Sequence, residues 1–138
     1  MRVLCLDVGD KRIGFAISDP HRKIAQALTL YERQSPKADL EKVKTLVEEH
    51  EISLIVLGLP KNLDGSIGPR AQEVERLAEK IGASTGLPVE LWDERFTTNE
   101  AHRIFDMASM KRKKRKPFID MMAAQLILQG YLDAQAKT

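Results

Sequence analysis

The chain has 138 residues, 43% of them hydrophobic and 30% charged, and its formal net charge is +2. This length and composition favour one soluble domain spanning residues 1–138. The one cysteine, Cys5, excludes an intramolecular disulfide and a zinc site built on paired cysteines. Because neither a signal peptide nor an apolar run of roughly 18 residues is recognisable, we expect a cytoplasmic protein without a membrane partner.

Three strands are predicted first. The apolar run Arg2–Val8 is typical of a central strand that is buried on both faces. The turn at Gly9-Asp10-Lys11 then leads to an antiparallel strand over Arg12–Asp19. Gly14 within this second strand indicates a bulge or a close approach of backbone. A third strand is predicted over Ile24–Leu30.

Helices and strands alternate in the rest of the chain. They are a helix around Leu40–Val47, a strand at Ser53–Leu59, a loop at Pro60–Pro69, a helix at Ala71–Ile81, a strand at Val89–Trp92, and helices at Ala101–Ala108 and Phe118–Ala134. This order predicts an α/β fold with a mixed five-stranded sheet and helices on both of its faces. Such sheets bind ligands beyond the carboxyl ends of their parallel strands.

Three acidic residues lie at positions where such a fold binds ligands, at the ends of strands and at the start of a helix. Asp7 ends the first strand, Glu94 follows the Val89–Trp92 strand, and Asp120 lies in the first turn of the last helix. Fixed carboxylates select Mg²⁺ or Mn²⁺, and three of them can hold two ions about 3.5–4 Å apart. Two such ions would activate a water and stabilise the leaving oxygen of a phosphodiester. We therefore predict that all three acids are catalytic metal ligands.

Each acid also has an ordinary explanation. Asp7 can form an ion pair with a base of the following turn, and Glu94 can pair with Arg95. Asp120 can stabilise the helix N-terminus through the helix dipole. Placement alone leaves these alternatives open.

Four blocks of the sequence resemble the YqgF/RuvX family. They are Leu6–Gly14, Gly58–Ser66, Asp93–Thr98 and Ile119–Ala124, in the family's order and spacing over almost the whole chain. The resemblance implies an RNase H-like fold and a nuclease. The family is described both as the enzyme that matures the 5′ end of pre-16S ribosomal RNA and as a Holliday junction resolvase. Its proposed catalytic acids fall on Asp7, Glu94 and Asp120.

Glycines and polar or basic residues around the acids are candidates for substrate binding. Six consecutive bases at 111–116 are predicted to contact phosphates without reading sequence, although a solvated loop remains the alternative. The loop after Ser53–Leu59 offers further donors to a substrate backbone. The candidates are Gly9, Lys11, Arg12, Asn62, Ser66, Arg70, Arg95, Lys113, Lys114, Arg115 and Lys116.

Two other functions remain open at this point. One is a nucleic-acid-binding module without catalytic activity. The other is half of an actin-like ATPase or sugar kinase, because Asp7-Val8-Gly9 before a glycine hairpin also resembles their phosphate-binding turn. The sequence does not distinguish structured RNA from branched DNA as the partner. It does not distinguish a monomer from a homodimer either, although a junction-cutting enzyme is expected to act as a two-fold dimer.

Overall fold

The computed structural model of the chain describes residues 1–62, 64–94 and 117–136, with backbone alone for residues 117–120. The elements in these ranges are β1 (Arg2–Val8), β2 (Arg12–Ser18), β3 (Ala25–Glu32), α1 (Pro36–His50), β4 (Ile52–Leu59), α2 (Pro69–Thr85), β5 (Val89–Asp93) and α3 (Pro117–Ala136). The predicted elements agree with them to within a few residues, except that the helix predicted at Ala101–Ala108 lies outside the described ranges. Among the described helices, none has both the length and the apolar character of a membrane span.

The described strands form a mixed sheet in the order β3-β2-β1-β4-β5. β1 pairs antiparallel with β2 and parallel with β4, while β3 and β5 extend the sheet on either side. The predicted mixed five-stranded sheet is thus confirmed. A register shift between Phe15 and Ala16 places an irregularity close to Gly14, where the glycine had indicated one.

Helices cover both faces of this sheet, which explains the continuous apolar sequence of β1. Leu4 and Leu6 belong to the core beneath α1 and α2, whereas Val3 and Cys5 belong to the core beneath α3. Because side chains alternate between the faces of a strand, Asp7 continues the Val3 and Cys5 series on the α3 side.

Local signals determine where α1 and α2 begin and end. The Ser35 hydroxyl caps α1 by accepting from the Ala38 N–H at 3.1 Å. Pro69 begins α2, and Gly86, in the left-handed region at φ 74°, ends it.

Side chains of α3 connect this helix to the strands at both edges of the sheet. Gln125 donates to the Ala25 carbonyl oxygen at 3.2 Å, and Gln129 accepts from the Ala25 N–H at 2.9 Å. On the other side, the Tyr131 hydroxyl donates to Glu90 of β5. The helix therefore lies across the sheet from β3 to β5.

Candidate active site

Asp7 and Glu94 lie at the carboxyl ends of β1 and β5, on the sheet face that α3 covers. β4 runs between these strands, and its residue at this level is Gly58, which pairs with Trp92 of β5. A Cβ atom on Gly58 would lie 2.7 Å from Glu94 Oε1 and 2.9 Å from Ile127 Cδ1. The Glu94 carboxylate therefore occupies space that only a glycine at position 58 leaves open.

The electrostatics of this pair are unfavourable in the protein alone. Burial raises the pKa of Glu94 to about 8, and the nearby Asp7 charge adds to the effect. The Arg70 guanidinium acts in the opposite direction, and the Asp93 carboxylate raises the value further. The pKa of the Cys5 thiol is also raised, mainly by burial and to a smaller extent by the negative charges of Asp7 and Glu94. Two half-buried carboxylates whose charges repel each other suit a divalent cation, which neutralises the repulsion and prefers oxygen ligands.

Asp120 lies in the first turn of α3, and its side chain lies outside the described part of the structure. Tyr131 of α3 contacts Glu90 near the start of β5. Ile127, one turn earlier in α3, lies against Gly58, which pairs with Trp92 near the end of β5. The helix thus runs opposite to β5, and its N-terminal turns extend towards the edge that carries Asp7 and Glu94. This direction is consistent with Asp120 as the third acid, which stays a prediction.

A pocket of about 120 Å³ opens beside Asp7. The turn between β1 and β2 forms one wall, and it is tight because a Cβ on Gly9 would lie only 3.0 Å from the Arg12 carbonyl oxygen. The Gly9 N–H donates to that oxygen at 2.8 Å. Four of the predicted substrate-binding residues line this pocket with Asp7: Gly9, Lys11, Arg12 and Arg70.

Comparison with known proteins assigns the chain to a family. A family model described as "RuvX: Holliday junction resolvase" matches residues 1–134. The chain belongs to the RuvX family. The predicted resemblance is therefore confirmed.

Curated relatives of this RuvX-family chain match it over nearly their whole length. A protein of Thermoanaerobacter pseudethanolicus is 50% identical over 136 residues, which cover 98% of each chain. A protein of Halothermothrix orenii is 47% identical over 137 residues, covering 99% of this chain and 98% of that one. Both are named "Putative pre-16S rRNA nuclease". Together with the family model, they confirm the predicted nuclease, a hydrolase acting on phosphodiester bonds.

Solved structures of resolvases share the fold. Thermus thermophilus RuvC in complex with Holliday junction substrate aligns with a TM-score of 0.63 at 12% identity, covering 100% of this chain and 97% of that chain. The fowlpox virus Holliday junction resolvase aligns with a TM-score of 0.56 at 14% identity, covering 97% and 99%. The RNase H-like fold predicted for this RuvX-family chain is confirmed.

Hydrogen bonds between its own side chains hold the loop before α2 together. Asn62 Nδ2 donates to Ser66 Oγ at 2.9 Å, and Ser66 Oγ in turn donates to Asp64 Oδ1 at 2.6 Å. These side chains stabilise the loop itself, and their predicted contact with substrate stays a prediction. Arg70 lies in the first turn of α2 because Pro69 begins that helix. From there it donates to the Val8 carbonyl oxygen at 3.4 Å.

Several other predicted contacts fall on residues that the structure does not describe. They concern the following bases: Arg95, Lys113, Lys114, Arg115 and Lys116. Their binding to substrate stays a prediction of the sequence.

Three residues of this site were missed on sequence. Gly58 interrupts the apolar run of β4, and a glycine inside a strand signals a close approach. Asp93 is only 8% exposed at the end of β5, and Lys61 Nζ lies 3.8 Å from its Oδ2. An acid that ends a strand was the signal used for Asp7, so it could also have found Asp93. The pairing with Lys61 depends on how the loop folds.

Proposed function

We propose that this RuvX-family nuclease cleaves ribosomal RNA precursors to mature the 5′ end of 16S ribosomal RNA in the cytoplasm. In this proposal Asp7, Glu94 and Asp120 hold two divalent ions, Mg²⁺ or Mn²⁺. The observation that carries it is the half-buried pair of Asp7 and Glu94, whose charges interact, beside a pocket that Lys11, Arg12 and Arg70 line together with Asp7 and Asp10. The names of the relatives at 50% and 47% identity support precursor ribosomal RNA as the substrate.

Bound ions would supply an activated water and neutralise the charge that develops on the leaving oxygen. The chain's own residues supply rigidity and position. Asp7 is fixed by the central strand, and Glu94 is held in the space above Gly58. Lys11, Arg12 and Arg70 neutralise a phosphate of the substrate backbone in the pocket and fix its position without reading sequence.

Replacing Asp7 by asparagine is expected to reduce metal-dependent cleavage by roughly 100-fold or more, because a neutral amide is a poor substitute for a charged metal ligand. The assay follows an end-labelled RNA spanning the 5′ end of 16S ribosomal RNA, with Mn²⁺ or Mg²⁺ added. Asp133→Asn, an exposed change on α3, is the matched control and should cleave like the wild type. Undiminished cleavage by the Asp7→Asn variant would remove Asp7 from the mechanism.

The family description favours a second substrate, the four-way DNA junction. The same assay with a synthetic junction separates the two. Cleavage of the junction but not of the precursor RNA would overturn the RNA proposal. Oligomeric state is a further discriminator, since paired cuts across a junction call for a two-fold dimer, whereas trimming of RNA can be done by a monomer.

Mn²⁺ binding is expected to tighten as the pH rises towards about 8 and to change little above it. At neutral pH the Glu94 carboxyl carries a proton that the metal must displace, so affinity rises up to about tenfold per pH unit. Titration calorimetry in buffers of different ionisation enthalpy measures both the affinity and the proton released. Equal affinities at neutral and mildly alkaline pH, with no proton released, would contradict Glu94 as a ligand.

A further inference from the structure

We propose that Arg33, held by the buried Asp39, is a positioning residue for the phosphate-binding turn between β1 and β2. It acts by engaging backbone carbonyl oxygens of that turn, so that the turn offers its cations to the substrate. This inference rests on the proposed function, because it takes the pocket beside Asp7 as the place where a substrate phosphate binds.

Arg33 directly follows β3 and connects three segments of the chain. Its Nε donates to Asp39 Oδ2 at 2.9 Å, and its Nη1 donates to the Gly9 carbonyl oxygen at 2.9 Å. Its backbone N–H donates to the Lys11 carbonyl oxygen at 2.8 Å. One residue therefore binds the turn at two points and the first turn of α1 at a third.

Asp39 fixes the direction in which Arg33 points. It is 3% exposed, so its charge requires a partner, and the Arg33 guanidinium supplies one. The Gln34 N–H donates to its second oxygen, Oδ1, at 3.3 Å. Because the guanidinium is a planar fork, the bond from Nε to Asp39 directs Nη1 towards the Gly9 oxygen.

The carbonyl oxygens of two turn residues, Gly9 and Lys11, and of the residues that flank the turn accept hydrogen bonds. A carbonyl oxygen directed at a phosphate would repel it, whereas an oxygen that accepts from a cation or an N–H contributes less negative potential. Arg33 lies outside the residues that line the pocket beside Asp7, while Lys11 and Arg12 line it. The acceptors and their donors are Val8 with Arg70, Gly9 and Lys11 with Arg33, and Arg12 with the Gly9 N–H.

The first test is Arg33→Lys, which keeps the positive charge beside Asp39 but cannot reproduce the two-pronged contact. We expect the KM for precursor RNA to rise roughly tenfold, with kcat and Mn²⁺ affinity unchanged. Arg76→Lys, an exposed change on α2, is the matched control. A fall in kcat with unchanged KM, or no change in either constant, would overturn the inference.

A double-mutant cycle separates positioning of the turn from general stability. In a Lys11→Ala, Arg12→Ala background, Arg33→Lys should cause no further loss of RNA affinity, because the cations it positions are gone. An equal loss in both backgrounds would make Arg33 a merely structural residue and would overturn the inference. So would unchanged binding in the background variant itself. RNA binding is measured with Ca²⁺ in place of Mg²⁺, so that this test does not depend on cleavage. Absence of cleavage by the wild type with Mg²⁺ would count against the proposed function and not against this inference.

Discussion

Replacing Glu94 by glutamine is expected to stabilise the metal-free protein and to abolish metal-dependent cleavage. The two effects have the same cause. Burial and the Asp7 charge make an ionised carboxylate at this position costly, while a cation would need that charge as a ligand. We expect cleavage to fall roughly 100-fold or more, since a neutral amide is a poor replacement for a charged metal ligand.

The change in stability has a defined dependence on pH. The folded pKa of Glu94 is raised to about 8, so the folded protein keeps a proton that the unfolded chain releases near pH 4.5. The stability that this proton gives to the folded protein is fully present below pH 4.5 and is lost as the pH rises through about 8. Above that pH the glutamine variant should be more stable than the wild type by several kcal/mol, at about 1.4 kcal/mol for each pKa unit, which corresponds to a rise in melting temperature of roughly ten degrees or more.

Thermal unfolding of both proteins across this pH range, with and without Mn²⁺, measures the effect. Glu79→Gln, an exposed change on α2, is the control and should leave the pH profile unchanged. Mn²⁺ should raise the melting temperature of the wild type and have little effect on the glutamine variant. A glutamine variant less stable than the wild type at alkaline pH would show that Glu94 has no such unfavourable charge.

Substituting alanine for Gly58 should also remove most of the activity, although position 58 carries no chemical group. The new Cβ would lie 2.7 Å from Glu94 Oε1, a distance at which one of the two must move. A displacement of about 1 Å in a catalytic group can cost on the order of 100-fold in rate. The same Cβ would lie 2.9 Å from Ile127 Cδ1, so some stability should be lost as well.

Two further variants separate these causes. Gly82→Ala adds a methyl group in α2 that would lie 3.6 Å from Val89 Cγ2, an ordinary contact, and should leave cleavage unchanged. Ile127→Val removes the Cδ1 atom, so adding it to Gly58→Ala should restore stability without restoring cleavage. Recovery of cleavage in that double variant would show that packing, and not the Glu94 carboxylate, is what Gly58 protects.

Periodicity and turn residues were enough to predict the elements and the position of Asp7 and Glu94 at strand ends. They were not enough to place Gly58 between these acids, because that depends on the register of β4 against β5. Local pattern also could not show that Asn62 and Ser66 bond to each other. In each case the missing information is a contact between residues that the sequence separates.

The contacts of α3 with both edges of the sheet affect when the chain can fold during its synthesis. All five described strands precede this helix in the chain, yet Val3, Cys5 and Val56 belong to the core that α3 covers. Until α3 docks, a nascent chain exposes an apolar sheet face and lacks the helix that carries Asp120. A nascent chain that still lacks α3 should therefore be prone to aggregation and inactive as a nuclease, and protection from aggregation and nuclease activity should begin together when α3 docks.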